Sequence, residues 1–170
     1  MELKIMVICA LTVSCMLAHG KEESSEMKSN TDSNLLIGWS SKDITPKGKV
    51  NLAGQMYMRI TDKVKDPITA TALAISSEET GDSVIFVSCD ISTTNAPLID
   101  ASREMIKKMS KHFPVEKLVV NATHTHTAPD FRDGIYDYST LSAEDSERLL
   151  FPKENMIFIA EKIAEVAVES

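Results

Sequence analysis

The sequence contains few cysteines and few aromatic residues. Among 170 residues there are three cysteines, and aromatic side chains make up 5% of the composition. Cys9 and Cys15 lie in an N-terminal segment that has the features of a targeting signal, which leaves Cys89 alone in the mature chain. A single cysteine excludes an internal disulfide. Because Cys89 sits in an apolar segment, it is expected to be a small buried hydrophobic residue.

Clusters of basic residues are also absent. The chain has 18 Lys and Arg against 25 Asp and Glu, a formal net charge of -7. Binding to nucleic acid requires clustered Lys and Arg, so nucleic acid is not an expected partner. The local group Lys107, Lys108 and Lys111 falls late in a predicted helix, where the negative end of the helix dipole favours cations.

The N-terminus lacks an apolar run long enough to span a bilayer as a stable helix. Lys4 precedes an apolar run at residues 5–17, and Ala18-His19-Gly20 has the small-x-small pattern of a signal-peptidase site. We therefore predict a signal peptide over residues 1–20 and a polar linker over 21–34.

Both ways of processing this segment place the protein outside the cytoplasm, as a secreted, periplasmic or cell-envelope protein. Lipidation at Cys15 is the alternative to simple cleavage. It is disfavoured because the apolar Met16-Leu17 that follow are unlike the polar tether expected after a lipidated cysteine.

Residues 35–170 are predicted to form one α/β domain with a mixed sheet. Strands are predicted at 35–40, 68–75 and 84–89, and the last two pair antiparallel through a turn at 78–82. The 84–89 strand is apolar throughout, which predicts a central strand covered on both faces. Residues 50–65 show no clean period and are either a loop that borders a pocket or a surface excursion.

A helix is predicted from Pro97 to Phe113, capped by Asn95, followed by a strand that ends near His124. This strand, helix, strand order is a βαβ crossover, so the strand before His124 should lie parallel to the strand that ends at Asp90. Flanking helices are predicted to begin at Ser142 and to cover residues 155–169.

The polar stretch Thr123-His124-Thr125-His126-Thr127 follows directly after the apolar Leu118-Val119-Val120. In a strand, residues i and i+2 point to the same side, so the two imidazoles are predicted to converge. Imidazole is the commonest zinc ligand, and open α/β sheets bind ligands beyond the carboxyl ends of their strands. A metal site is the first hypothesis. The alternative is a pair of histidines that is solvated or caps nearby carbonyls.

Two histidines do not complete a catalytic zinc site, which uses about three protein ligands and an open position. His19 lies in the targeting segment and His112 in the last turn of the predicted helix. The missing ligands must therefore be Asp, Glu or Tyr, or come from outside the chain. Asp90, at a neighbouring strand end, could orient an imidazole, ligate a metal or position substrate, with an Asx turn to Ser92 as the alternative.

Several short segments occur in an informative order between Gly38 and Pro129. They are Gly38, Asp43-Ile44-Thr45-Pro46, Ala53-Gly54, Asp66-Pro67-Ile68, Ala70, Ala72-Leu73, Val87-Ser88-Cys89-Asp90 and Ala122-Thr123-His124-Thr125-His126, with Pro129. Together they resemble the N-terminal part of the catalytic domain of the neutral/alkaline, non-lysosomal ceramidase family. The Thr-His-Thr-His segment is the most specific piece.

The resemblance implies a zinc-dependent amidohydrolase that cleaves the N-acyl amide of a ceramide-like lipid. His124 matches the first histidine of the family motif and would be a zinc ligand. His126 matches the second and would act catalytically, against the substrate carbonyl and the attacking water. Asp90, Thr125 and Asp130 are candidates to support the ligands or to contact substrate. The expected partner is a lipid or another small amide, with association at a membrane surface.

The sequence departs from the family at Thr127-Ala128-Pro129-Asp130-Phe131, where serine, glycine, proline and further glycines are usual. This change reshapes the expected cleft lip, so another amide or an ester stays open as substrate. The family's remaining zinc ligands and its active-site serine lie further downstream. We therefore expect residues 35–170 to be the first portion of a larger catalytic domain, inactive alone.

Two other functional classes stay open. A non-enzymatic binding protein of the cell envelope would use the loop around Tyr136 and Tyr138 for recognition. A different metal-dependent hydrolase would recruit Asp90 or Asp130 as the missing ligand.

Overall fold

The computed structural model describes residues 34–170. The predicted signal peptide, the lipidation candidate Cys15 and nearly all of the predicted linker lie outside these residues. The described part has a mixed α/β fold, as predicted. Its elements are β1 (Leu35–Asp43), β2 (Val50–Asn51), β3 (Ile60–Thr61), β4 (Thr69–Ser77), β5 (Ser83–Cys89), α1 (Ala96–Met109), β6 (Leu118–Ala122), α2 (Ala143–Ser146) and α3 (Pro152–Glu169).

The main sheet has four strands in the order β1-β4-β5-β6. Strand β4 pairs antiparallel with β1 and β5, whereas β5 and β6 are parallel, with Cys89 opposite Ala122. Both predicted pairings are confirmed, and α1 is the crossover between the parallel strands. The carboxyl ends of β5 and β6 therefore lie side by side. This brings the residues after Cys89 close to those after Ala122.

The core lies between the sheet and the helices α1 and α3. Alternate residues of β5 and β6 point to this side, as the period of two in a strand requires. Burying one Leu, Ile or Val side chain here contributes roughly 1.5–3 kcal/mol relative to leaving it exposed. The core includes Ile85, Val87, Cys89, Leu98, Ile106, Leu118, Val120, Ile159, Ile163 and Val166.

The other face of the sheet is not covered by any of the residues 34–170. Trp39, Leu73, Phe86 and Val119 are register partners that form one row across all four strands, and all four are exposed, Trp39 to 68%. The prediction that strand 84–89 is covered on both faces was therefore wrong for the described chain. Both sides of β5 are apolar, but only the side that faces the helices is packed.

Helix α1 begins at Ala96, one residue before the predicted start, and ends four residues before the predicted end. The Oδ1 of Asn95 accepts a hydrogen bond from the backbone N–H of Leu98 at 3.0 Å, which caps the first turn. The helix ends at Met109, because Ser110 has an extended backbone with φ -142°. His112 lies in the turn that follows, so its predicted place in the last helical turn was wrong.

Helix α3 begins at Pro152, three residues before the predicted start. The fixed φ of proline suits the first helical position, so this proline starts α3 as well as ending the preceding segment. The carboxylate of Glu154 accepts a hydrogen bond from the backbone N–H of Phe151 at 3.0 Å and satisfies a donor that the helix leaves free. No helix within residues 34–170 is both long enough and apolar enough to cross a membrane.

Candidate two-histidine site

The imidazoles of His124 and His126 converge beyond the end of β6. Their Nε2 atoms lie 3.3 Å apart, and the ring centroids are 4.8 Å apart at an interplanar angle of 77°. Two nitrogen ligands at about 2.0–2.1 Å from a tetrahedral zinc ion are about 3.3 Å from each other. The separation of the two Nε2 atoms therefore fits two ligands of one ion. It also fits a hydrogen bond in which one ring is protonated at Nε2.

The rings meet by a different route from the predicted one. Strand β6 ends at Ala122, and His124 has φ +64°, in the left-handed region that non-glycine residues seldom adopt. The alternation of a strand therefore does not continue through His124. A turn brings the rings together, held in part by the backbone N–H of His124, which donates to the carbonyl of Ile91 at 3.1 Å. Such a backbone costs roughly 1–2 kcal/mol and is often found at functional sites.

The ring of His124 is oriented by the segment that follows β5. Its Nδ1 hydrogen-bonds to the backbone carbonyl of Ser92, a buried residue. A carbonyl can only accept, so Nδ1 carries a proton, and in the neutral ring the Nε2 lone pair lies on the side of His126. Metal-ligating histidines commonly have this arrangement, in which a carbonyl fixes the tautomer and the ring orientation.

The position of His126 depends on two residues in the segment between β2 and β3. Gly54 has φ +90°, and a Cβ built on it would lie 2.3 Å from Cγ of His126, so only glycine fits beneath this ring. Arg59 donates from Nη2 to the carbonyls of Ala53 and His126. The segment thus borders the site, which the sequence left undecided. The dipeptide Ala53-Gly54 was the only local signal that could have indicated it.

Asp90 holds the strand ends next to the imidazoles. One oxygen of its carboxylate accepts from the backbone N–H and the hydroxyl of Thr69, both at 2.9 Å. The other accepts from the hydroxyl of Thr123 at 3.2 Å. Asp90 therefore links the start of β4 to the residue before His124, and it reaches the site through Thr123.

The side chain of Asp130 pairs with Arg132. Its buried carboxylate forms a two-pronged pair with Arg132, at 2.9 Å from Nε and 2.7 Å from Nη2. The hydrogen bonds that Arg132 donates to the Asp130 carboxylate raise the pKa of Arg132 above its usual value. The backbone of Asp130 bonds to Asn51 and to the side chain of Asn155. Asp130 therefore holds neighbouring segments together. It makes no hydrogen bond to either imidazole.

No His, Cys, Asp or Glu joins the two histidines as a third metal ligand within residues 34–170. No group of three or more His, Cys, Asp and Glu suited to a metal ion occurs there. Neither Asp90 nor Asp130 therefore completes a ligand set in the described part. A different metal-dependent hydrolase would need one of these aspartates as its third ligand, and neither is placed to be one in residues 34–170.

A cavity of about 530 Å³ lies on the threonine side of the histidine loop. Thr125, Thr127 and Asp90 form part of its wall, while the two imidazoles are not among its described lining residues. The hydroxyls of Thr125 and Thr127 lie 3.0 Å apart. The cavity is thus lined by threonines of the same loop that carries the imidazoles. Apolar lining residues include Val50, Leu52, Val64, Ile68 and Pro129.

The loop at residues 131–139 packs beside the site through its two tyrosines. The hydroxyl of Tyr136 donates to the carbonyl of Gln55 at 2.6 Å. The hydroxyl of Tyr138 accepts from the side-chain amide of Asn51 at 3.3 Å, and burial raises the pKa of Tyr138. Both phenols are therefore engaged within the chain, so the interpretation of this loop as a free recognition surface gains no support.

Comparison with protein-family models and with curated proteins gives no match. The solved structures that are similar include neutral ceramidase from Pseudomonas aeruginosa, with a TM-score of 0.66, and a ceramidase complexed with C2, with a TM-score of 0.62. Each is 20% identical over 81% of this chain and is covered over 21% of its own length. The chain thus spans about a fifth of each neighbour. At this identity the likeness shows the fold, and the described chain has a ceramidase-like α/β fold.

Proposed function

We propose that this chain carries the two-histidine part of a zinc-dependent hydrolase site that cleaves the N-acyl amide of a ceramide-like lipid. The observation that carries the proposal is the 3.3 Å separation between the Nε2 atoms of His124 and His126. The ceramidase-like fold supports the choice of reaction class. The predicted signal peptide supports action outside the cytoplasm.

His124 is the residue proposed to hold zinc. Its Nδ1–H is bound to the Ser92 carbonyl, so the Nε2 lone pair is fixed in one direction before any ion arrives. Bound zinc would polarise the amide carbonyl and make a coordinated water a nucleophile near neutral pH. The remaining ligands would come from polypeptide outside the described residues, since no third His, Cys, Asp or Glu joins the pair within residues 34–170.

His126 is the residue proposed to move protons. Its exposed ring makes one side-chain hydrogen bond among the described residues, to His124, and no carbonyl fixes its Nδ1. A neutral imidazole at this point can take the proton of an attacking water, and the resulting imidazolium can give it to the leaving amine. Gly54 and Arg59 hold the residue so that its ring faces the same point as His124.

The first test is zinc binding to the described chain by isothermal titration calorimetry. We expect weak binding of one ion, because His124 is the one proposed ligand among residues 34–170 and a catalytic zinc site uses about three. The His124→Ala variant should lose the binding and His126→Ala should weaken it about tenfold or more. His112→Ala is the matched control, since His112 is exposed in a turn outside the site. Binding that is equal in His124→Ala and the parent would overturn the metal assignment.

The second test is hydrolysis of a fluorescent N-acyl sphingosine by the complete product of the gene. We expect activity that is lost with a zinc chelator, restored by added zinc, and lost in His126→Ala by about 100-fold or more. An ester of the same acyl group should be compared in parallel. Hydrolysis of the amide that persists with the chelator would contradict the proposed mechanism. Cleavage of the ester alone would contradict the proposed substrate.

A further inference from the structure

The sheet face turned away from α1 and α3 has the composition of a buried surface. Every second residue of each strand points to this face, and register partners form rows across the sheet. Two rows are apolar, the next row towards the site is polar, and no residue in the three rows is charged. We call these three rows the outer face: Ile37, Ile75 and Val84; Trp39, Leu73, Phe86 and Val119; Ser41, Thr71, Ser88 and Asn121. A solvated sheet face is ordinarily polar, so this composition indicates a face that becomes covered.

The two apolar rows leave large side chains in water. Ile37 is 69% exposed, Trp39 68% and Val119 44%. These side chains belong to neighbouring rows, so they form a patch, unlike the single apolar residues that are scattered over most surfaces. A patch of this kind marks an interaction surface.

The polar row provides hydrogen-bond partners from within the sheet. The hydroxyls of Ser41 and Thr71 lie 2.8 Å apart. The side-chain amide of Asn121 donates to the hydroxyl of Ser88 at 3.2 Å. Polar side chains that are removed from water need such partners. The row can therefore be covered while these hydrogen bonds are kept.

The outer face leads to the two-histidine site. In the row that follows the polar one, the hydroxyls of Thr69 and Thr123 donate to the carboxylate of Asp90, and Thr123 directly precedes His124. No third His, Cys, Asp or Glu joins the histidine pair within residues 34–170. Polypeptide that lies along the outer face therefore also reaches the place where ligands are missing.

The possible sources of a cover can be compared. The predicted signal peptide is expected to be removed, and residues 21–33 contain one large apolar side chain, Met27. The solved neighbours are matched over 21% of their own length, so the same fold is part of a longer chain in each of them. This favours further polypeptide of the same gene product over a second copy.

We propose that the outer face is the docking surface for the polypeptide that supplies the remaining zinc ligands, through an apolar, uncharged surface of its own. The contact holds those ligands next to His124. The inference rests on the proposed function for the ligands. Coverage of the outer face requires neither zinc nor hydrolysis, so it can be tested separately.

The first test is hydroxyl-radical footprinting with peptide mass spectrometry, in the presence of a zinc chelator. The complete product of the gene is compared with the 170-residue chain. Trp39 and Phe86 should be oxidised readily in the 170-residue chain and should lose most of that reactivity in the complete product. Met109 is the control, because it is exposed at the end of α1, outside the outer face, and should react alike in both.

The second test compares Val119→Asp with Ile157→Asp, two aliphatic side chains that are each 44% exposed, on the outer face and on α3. In the complete product, Val119→Asp should lower the midpoint of thermal unfolding by about 5 °C or more, because it buries an unpaired charge. It should also weaken zinc binding about tenfold or more. In the 170-residue chain the shift should be much smaller, since the strand preference of Asp acts in both proteins and the cover only in one. Ile157→Asp should have little effect in either.

A milder variant keeps the test informative if Val119→Asp does not fold. Val119→Thr preserves the shape and the strand preference and adds a hydroxyl, so it should act in the same direction to a smaller extent. Circular dichroism checks the folding of each variant. Analytical ultracentrifugation of the complete product sets the concentration at which it is a monomer, and footprinting is carried out there.

Several results would overturn the proposal. These are equal oxidation of Trp39 in the two proteins, protection that is lost when the complete product is diluted to a monomer, and equal effects of Val119→Asp in the two proteins. Protection of the outer face with zinc affinity unchanged in Val119→Asp would remove the link between the cover and the ligands.

The outcomes also separate this inference from the proposed function. A covered outer face without zinc binding at His124 would retain the cover and remove both the hydrolase and the link to its ligands. Zinc-dependent hydrolysis by a product whose outer face stays reactive would retain the hydrolase and remove the cover.

Discussion

Gly54 lies directly beneath the imidazole of His126, with no room between them for a side chain. A Cβ at Gly54 would be 2.3 Å from Cγ, 2.5 Å from Cβ and 2.6 Å from Nδ1 of His126. The same glycine has φ +90°, a backbone conformation that L side chains rarely adopt. The contact fixes how closely the segment between β2 and β3 approaches the site, and through it the direction of the His126 ring.

Replacing this glycine, as Gly54→Ala, should displace the His126 ring and weaken zinc binding about tenfold or more. Gly81→Ala is a matched control, because Gly81 also has a positive φ of +69° but has no atom within 4 Å of a built Cβ. Both variants should lose roughly 1–2 kcal/mol of stability from backbone strain. Only Gly54→Ala should change the zinc titration. Equal zinc affinities in the two variants would show that the ring does not depend on this contact.

The ion pair between the buried Asp130 and the partly exposed Arg132 tests whether Asp130 stabilises the fold or belongs to the zinc site. Because the Asp130 carboxylate is buried and bound twice by Arg132, Asp130→Asn should destabilise the fold by about 2–4 kcal/mol in urea unfolding. The zinc affinity of Asp130→Asn should stay within about threefold of the parent's, since the Asp130 carboxylate is paired with Arg132.

Asp133→Asn is the control for that substitution, because Asp133 is exposed and its change should cost less than about 0.5 kcal/mol. A variant at Asp130 that keeps its stability but loses zinc would place this carboxylate in the site instead.

The sheet could be predicted from the sequence because its signals are local. The alternating segment that became β4, the turn at 78–82 and the capped helix after Asn95 each contain the residues that specify them. The parallel pairing of β5 and β6 then follows from the order of strand, helix and strand. The helix boundaries were predicted less accurately, because a proline such as Pro152 can end one segment and also begin the next helix.

The candidate site was predicted only in part, for a physical reason. The sequence contains the two histidines, but their convergence depends on a left-handed backbone at His124 that no periodic pattern encodes. Gly54 and Arg59 approach from a segment without regular period, about 70 residues away along the chain. Their contribution comes from tertiary contacts, so composition and spacing could not indicate it. The bond of Asp90 to Thr123 is likewise a contact between two strand ends.

Cys89 should be unreactive in the folded protein. It is fully buried in the core, and burial, together with the nearby Asp90 carboxylate, raises the pKa of its thiol to about 12. The thiolate is the reactive form, so alkylation with iodoacetamide at pH 8 should label Cys89 only after unfolding in urea. Peptide mass spectrometry distinguishes it from Cys9 and Cys15. Rapid labelling of Cys89 under native conditions would show that the β5 region opens readily.

The pH dependence of stability should include a contribution from Glu165. A hydrogen bond from Lys162, with help from Lys42, lowers the pKa of Glu165 below its ordinary value of 4.5. A carboxyl whose folded pKa is lowered stabilises the fold above the unfolded pKa, and this contribution is lost as the pH falls through the folded pKa. The parent should therefore lose stability below about pH 4.5, by less than about 1 kcal/mol from this group because the pair is partly exposed.

Urea unfolding between pH 7 and pH 3 measures this contribution. Glu165→Gln removes the titrating group, so its stability should fall less steeply than that of the parent below pH 4.5, while at pH 7 it should be slightly less stable. Glu161→Gln is the control, since Glu161 is exposed on the same helix and makes no ion pair with any residue in 34–170. It should follow the parent at every pH. Should Glu165→Gln do the same, the ion pairs to Lys162 and Lys42 would contribute nothing to folding, and the acid sensitivity would belong to other carboxylates.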